Sequence, residues 1–329
     1  MLPRIPDTPP RIAALTEAEK SDQPVWSVMI PVYNCVQFLP ETLQSVLEQG
    51  FDPGMMQIVV VDDASTDGDI ASLVFRIGKG RIGYYRQENN VGSLRNFETC
   101  LARSRGKLIH LLHGDDKVLP GFYQQLQALF ENYPGAGAAF SRYYYMNEQS
   151  AILYPADLEM PESGLLNNWL ERLAQRQRIQ TPAIAVRREV YEQLGGFYAV
   201  HYGEDWEMWV RIAARYPMAY TPEILAAYRQ HGASITGRYF LDGGNIRDLK
   251  KVMRLNAEHL PPERKAAIQK AAEKFYAYYA IGTARMLWHT GKNRAASEAQ
   301  LREARSLYRS PGMLLEIFKL KLKFFLNIR

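Results

Sequence analysis

The sequence predicts an α/β domain built on a doubly wound, mostly parallel sheet, followed by a helical region. Three observations carry that expectation. Short apolar, β-rich runs alternate with segments of helical spacing through the first part of the chain. Two of those runs close on adjacent aspartates, Asp62-Asp63 and Asp115-Asp116. After Asn245 the texture turns to Ala, Lys, Glu, Arg and Leu, a helix-forming composition.

Residues 1–24 read as a flexible, Pro-rich lead-in. Val25–Val32 (VWSVMIPV) is a buried first strand that gives way to Tyr33-Asn34. Leu39, Leu43, Val46 and Leu47 then recur at helical spacing around residues 40–48. Met56–Val61 is a second strand and Ile82–Tyr85 a third. Asn96–Ser104 reads as a helix, and Leu108–Leu112 as a strand ending at His113-Gly114-Asp115-Asp116. From Tyr143 to about Arg238 strand and helix signals mix. Ala266–Thr290 and Ala295–Tyr308, parted by Gly291-Lys292-Asn293, form a helical hairpin, and an apolar, lysine-bearing stretch over 311–329 follows. The expected organisation is a lead-in over 1–24, an α/β domain over 25–240 and a basic helical region over 241–329.

Apolar residues make up 47% of the 329 and charged residues 23%, an ordinary globular balance. Two cysteines, Cys35 and Cys100, provide no disulfide framework and read as reduced, buried thiols. The first residues lack the apolar core of a signal peptide, and no run reaches a spanning length, so a cytoplasmic protein is expected. The net charge of +5 is unevenly spread: residues 241–329 hold 18 Lys+Arg against 8 Asp+Glu, and residues 1–240 hold 22 against 27. The α/β part is therefore mildly acidic, which argues against nucleic acid as its ligand, and the basic part suits an anionic surface.

In an open α/β sheet, ligands bind outside the carboxyl ends of the strands. Parallel strands would bring the two aspartate pairs to one edge. Asp115 and Asp116, after a glycine, suit a hard divalent cation that also holds phosphate oxygens, or else a solvated turn. Asp62-Asp63 can accept from a base N–H or ribose hydroxyls; alternatively Asp63, Ser65 or Thr66 caps the next helix. Glu204-Asp205 precedes an aromatic amphipathic helix and offers a general base, or an acidic N-cap. In Tyr228-Arg229-Gln230-His231, Arg229 is a candidate phosphate clamp and His231 a candidate metal ligand, against a structural role for each.

In order and spacing these segments resemble glycosyltransferase family 2, the inverting family with the GT-A fold. The resemblance runs through VMIPVYN (28–34), VVVDDASTDG (59–68), NNVGSLRNFETCLARSRGKLIHLLHGDD (89–116), GGFYAVHYGEDWEMWVRIA (195–213) and YRQHGASIT (228–236). It implies that Pro31, Val32 and Tyr33 contact the nucleobase and ribose, with Asp62 or Asp63 beside the base. Arg95 and Asn96 would lie near the donor. Asp115 takes the place of the principal metal-binding aspartate, with Asp116 beside it among the donor-binding residues. Asp205 takes the place of the catalytic base, Glu204 next to it, and His231 that of a late metal or phosphate contact. One position departs from the pattern: His113 stands where the metal motif usually begins with aspartate.

The implied activity is hexosyl or N-acetylhexosaminyl transfer, with inversion, from a nucleotide-sugar (UDP by family habit) to a hydroxyl, using Mn2+ or Mg2+. Bacterial surface polysaccharide assembly is the family's common setting, with a saccharide, in some cases lipid-linked, as acceptor. A nucleotidyltransferase would need a glycine-rich phosphate loop after the first strand, which Pro31-Val32-Tyr33-Asn34 does not provide. A catalytically silent nucleotide-sugar-binding module is the alternative of another class. The basic tail is expected either to rest on the inner membrane surface or to cover the domain or a partner subunit in a homo-oligomer. Acceptor selectivity is expected in residues 140–185, where Tyr143, Tyr144, Tyr145 and Trp169 are binding candidates or core.

Overall fold

A computed structural model describes residues 3–232, 237 and 239–328. The end of the 228–236 motif thus lies outside the described residues. The chain forms two compact units. The first comprises Met1–Trp169, Arg178–Ala199 and Arg211–Gln230, and the second Leu170–Gln177, Val200–Val210 and His231–Arg329. This division differs from the expected break at 240, because two internal segments join the helical tail.

Along the chain, helix α1 (Glu17–Ser21) precedes strand β1 (Trp26–Val32), helix α2 (Leu39–Leu47), strand β2 (Met56–Asp62), helix α3 (Ile70–Gly78) and strand β3 (Gly83–Arg86). Helix α4 (Ser93–Arg103), strands β4 (Leu108–Leu111) and β5 (Lys117–Val118) and helix α5 (Phe122–Asn132) follow. Strands β6 (Ala138–Met146), β7 (Ile152–Pro155) and β8 (Gly164–Leu165), helix α6 (Trp169–Gln175), strand β9 (Ile184–Arg187) and helix α7 (Arg188–Leu194) come next. Helix α8 (Glu204–Ala213) and strand β10 (Met218–Arg229) complete the series. The strands make one sheet in the order β3-β2-β1-β4-β9-β6-β10-β5, with β7 beside β6 and β8 beside β10.

Strands β3, β2, β1 and β4 are mutually parallel, as the sequence predicts. Every residue of β1 is buried, which is why it reads as an unbroken apolar run and not as an alternation. Its neighbours set the register, Val32 facing Asp62 and Met29 facing Leu111. Helix α2 buries Leu39, Leu43 and Val46, with Pro40 in the first turn, where its missing N–H costs nothing. Asp69 caps α3 by accepting from the Ser72 amide at 2.9 Å, so neither Asp63, Ser65 nor Thr66 serves as the cap. Beyond β4 the order departs from simple alternation. Strand β9 runs antiparallel to both β4 and β6, and β10 returns parallel to β6. Trp169, stacked on Phe140 at 5.4 Å, and Tyr143 belong to this core.

The lead-in is packed, contrary to the expectation of a flexible one. Ile12 is buried, the Pro6 and Pro10 carbonyls accept from the Ala199 and Gly196 amides, and Arg188 donates to the Ala13 carbonyl. Gly195, at φ 78°, leaves room for Pro10, whose carbonyl oxygen a Cβ there would approach to 2.8 Å.

In the second unit, helices α9 (Gly244–Ala257), α10 (Pro262–Gly291), α11 (Arg294–Leu307) and α12 (Pro311–Leu326) follow one another. Helix α10 ends at Lys292 in a left-handed conformation, and the Asn293 side chain caps α11, making the expected hairpin turn.

Candidate active site

The carboxyl ends of β2, β1 and β4 lie side by side, and the loops leaving them are tied together. The Asp63 amide donates to the Val32 carbonyl at 2.8 Å, and the Gly114 amide to the Pro31 carbonyl at 3.2 Å. Asn34, at φ 51°, receives the Thr66 amide on its side chain and donates its own amide to Ser65. Ala64 also holds a left-handed φ of 58°, and such backbone strain in a non-glycine residue concentrates at binding sites. Pro31 and Val32 are buried, whereas Tyr33 is 46% exposed at the rim of these loops.

Asp62 and Asp63 both turn inward. Asp62 accepts from the Ser65 amide, the Tyr84 hydroxyl and Arg86. Asp63 accepts from the Val91 and Gly92 amides and from Asn90, at 2.7 to 2.9 Å, and burial raises its carboxyl above the usual range. Asn96 is likewise an inner brace, its amide bonded to the Val61 carbonyl at 2.9 Å. Arg95 donates to the Pro3 carbonyl and pairs with Glu98. The polar atoms of all four residues are taken up in shaping these loops.

His113, Asp115 and Asp116 bring one imidazole nitrogen and two carboxylate oxygens within 4.8 Å of one another, a group able to hold a metal ion. The loop allows little movement. Thr42 donates to the carbonyls of Gly114 and Asp116, and a Cβ on Gly114 would come within 2.9 Å of Cys35 Sγ and Val32 Cγ2. Asp116 Oδ1 accepts the Arg229 amide at 2.8 Å. Its Oδ2 and His113 Nε2 are buried without a hydrogen-bond partner among the described residues. Burial, and then the Asp115 charge, push the Asp116 carboxyl well above its ordinary value, while burial lowers His113. A buried carboxylate oxygen without a partner among the described residues, with His113 Nδ1 3.9 Å from it and Asp115 in the same cluster, fits a divalent cation, and the mixed nitrogen and oxygen set suits Mn2+. His113, which the sequence sets aside as a departure, is therefore in the cluster.

Arg229 has a different task from the expected phosphate clamp. Its buried guanidinium donates to the carbonyls of Asp115, Asn147 and Glu148 and to the Ser150 hydroxyl, at 2.7 to 3.2 Å. It also pairs with Glu41 at 2.5 Å and lies over the Phe38 ring. Glu41 in turn accepts from Lys117 and Ser150. Burial works to raise the Glu41 carboxyl, but these three donors prevail and hold it at about 2. Charge–charge bonding of this kind fixes a loop more firmly than neutral bonds do. Sequence offers no signal for Glu41, whose partners are up to 188 positions away.

Glu204, Asp205 and His231 fall in the second unit. Gly203, at φ 88°, opens helix α8 against Leu249 and Val252 of α9. The amides of His201 and Tyr202 are held by Asp248 of the same helix at 3.1 Å. Asp205 Oδ1 accepts the Trp206 amide at 2.7 Å, and Oδ2 accepts from Gln177. Gln177 donates its own backbone amide to the Tyr276 hydroxyl at 3.0 Å, and Trp206 packs on the Tyr276 ring at 5.0 Å. The tail helices thus seat the acidic pair. Burial raises the Asp205 carboxyl to about 6; burial and then the Asp205 charge raise Glu204 well above its usual range.

A family model described as Glycosyl transferase family 2 matches residues 27–195. The chain belongs to that family. Among its relatives, protein MT1568 of Mycobacterium tuberculosis (strain CDC 1551 / Oshkosh) is 30% identical over 253 residues, covering 70% of this chain and 75% of the other. Among solved structures, Staphylococcus aureus TarS 1–349 in complex with UDP-GlcNAc superposes with a TM-score of 0.61 at 14% identity, over 85% of this chain and 91% of that one. Mannosyltransferase PcManGT from Pyrobaculum calidifontis, in complex with GDP-Man and Mn2+, gives 0.51 at 18% identity, over 92% and 89%. The family 2 chain accordingly has the GT-A fold and glycosyltransferase activity.

Proposed function

We propose that this family 2 chain is a metal-dependent, inverting transferase that moves a hexosyl or N-acetylhexosaminyl group from a UDP-sugar to a saccharide hydroxyl in bacterial surface glycan synthesis. The observation that supports it most is the His113, Asp115 and Asp116 cluster at the strand ends, where Asp116 Oδ2 is buried without a hydrogen-bond partner among the described residues. TarS carries UDP-GlcNAc and PcManGT carries GDP-Man with Mn2+ on the same fold, which favours a pyrophosphate-linked donor and a cation.

His113, Asp115 and Asp116 would hold the cation, which when bound offsets charge developing on the diphosphate leaving group. Arg229 and Thr42 keep the ligand loop in place, so their part is orientation. Tyr33, exposed on the loop after β1, is available to stack on the nucleobase. Asp205 takes the proton from the acceptor hydroxyl on Oδ2, where Gln177 orients the carboxylate. A carboxyl raised to about 6 is a stronger base than an ordinary aspartate and is still ionised at neutral pH. Burial and the Asp205 charge beside it favour the neutral form of Glu204, which limits the build-up of a second negative charge there. One in-line displacement inverts the anomeric centre.

The test is a screen of UDP-, dTDP- and GDP-sugars with Mn2+ against saccharide acceptors, with product configuration read by NMR. Transfer with inversion from one donor class is expected. Turnover undiminished by a chelator, or a product of retained configuration, would refute the proposal.

A further inference from the structure

Helix α12 has two apolar faces. Met313, Ile317, Leu320 and Phe324 are buried, Phe324 against Trp288 of α10 at 4.7 Å. At about 100° per residue, Leu314, Leu315, Phe318, Leu322, Phe325 and Leu326 fall on the opposite side within an arc of about 120°. Each of these is at least 43% exposed, and Phe325 reaches 83%. The lysines alternate in sequence, yet on the helix they border that arc. Lys321 marks one margin, and Lys319 and Lys323 mark the other. Glu316, the single acid of the helix, pairs with Lys319 at 2.9 Å and lies beyond the margin.

Helix α10 also exposes apolar side chains. Phe275 and Tyr278 are each 39% exposed in a shallow groove there, and the Tyr278 hydroxyl stands 3.8 Å from where a Cβ on Gly312 would be. The residues 241–329 that contain both helices hold ten more basic than acidic side chains. A 16-residue helix is about 24 Å long, shorter than a bilayer's hydrocarbon core of about 30 Å. Among the described residues no helix is long and apolar enough to cross a membrane.

We propose that α12 lies in the plane of an anionic phospholipid surface, its exposed phenylalanines and leucines in the acyl boundary and its lysines reaching lipid phosphates. The charge on the margins selects this occupant. A second copy of the chain would oppose lysines with lysines, whereas an anionic headgroup layer answers both borders at once. The docking does not depend on the transfer chemistry, and binding alone reads it.

The experiment is co-sedimentation of the full chain with phosphatidylcholine vesicles with and without phosphatidylglycerol, at low and high salt. Binding is expected only with phosphatidylglycerol and should weaken as salt rises. Replacing Lys319, Lys321 and Lys323 together by Gln should lower partitioning on the order of a hundredfold. Phe318→Ser with Phe325→Ser should lower it at least about tenfold. Phe318, Phe325, Lys319 and Lys321 are exposed and Lys323 is half-buried at the helix margin, so an unchanged circular dichroism spectrum is expected of both variants. Equal binding to both vesicle types, or binding that survives both variants, overturns the proposal. So does a dimer in sedimentation velocity that the phenylalanine variant dissociates while vesicles recruit nothing.

Discussion

Glu41→Gln tests whether the cation-site loop is held through Arg229. Glu41 lies outside the metal cluster, but it carries the charge that balances the buried guanidinium. Displacement of its carboxyl from the ordinary 4.5 to about 2 corresponds to about 3 kcal/mol for a group shielded from water. The Glu41 side chain is 36% exposed, so screening reduces the expected contribution to about 1–2 kcal/mol. The thermal unfolding midpoint of the variant at pH 7 should therefore fall by about 1.5–3 °C. Because the folded value is depressed, this stability is present above the unfolded value near 4.5 and is lost as pH falls toward about 2. The gap between wild type and variant should close over that window. In parallel, Mn2+ affinity by isothermal titration should drop several-fold as the Asp115 carbonyl and Asp116 lose their anchor. An unchanged midpoint with unchanged Mn2+ affinity would show that Glu41 does not support the loop.

Four further outcomes are expected. Asp205→Asn should lower kcat by about a hundredfold to ten-thousandfold with nucleotide binding nearly intact, measured by steady-state turnover and nucleotide titration; full turnover in the variant excludes the base role. In the wild type the rate should fall as pH drops through about 6, because the base works only when deprotonated; a profile flat to pH 5 contradicts this. Gln177→Ala removes a bond that favours the charged carboxylate, so that limb should move to higher pH, and a move the other way is inconsistent with the geometry. His113→Ala should weaken Mn2+ binding at least about tenfold without unfolding the chain; unaltered binding leaves His113 outside the ligand set.

Much of the parallel half of the sheet is legible in the sequence, because buried parallel strands are continuous apolar runs and their ends are marked by aspartates. Val28–Val32 and Val59–Val61 carry that signal plainly. The antiparallel insertion of β9 is not legible, since Ile184–Arg187 is four residues long and resembles any short apolar run. The same contrast holds at the site. Asp115, Asp116, Glu204 and Asp205 stand in strings whose order can be read. The task of Arg229 cannot, since three of its acceptors are backbone carbonyls and any residue supplies a carbonyl. The lead-in misleads for a related reason: prolines suggest looseness, while Pro3, Pro6 and Pro10 offer carbonyls that the folded surface takes up.

The seat of Asp205 has a consequence for synthesis. Asp248 and Tyr276, which steady the start of α8 and its glutamine, leave the ribosome 43 and 71 residues after the aspartate itself. Domains tend to form as the chain emerges. The strands around the cation loop can assemble while the last helices are still being translated, but the acidic pair cannot settle until they arrive. A nascent chain would thus acquire the strand ends that carry Asp115 well before the seat of Asp205 is complete, and a message cut short before Tyr276 would yield a protein in which that seat is unfinished.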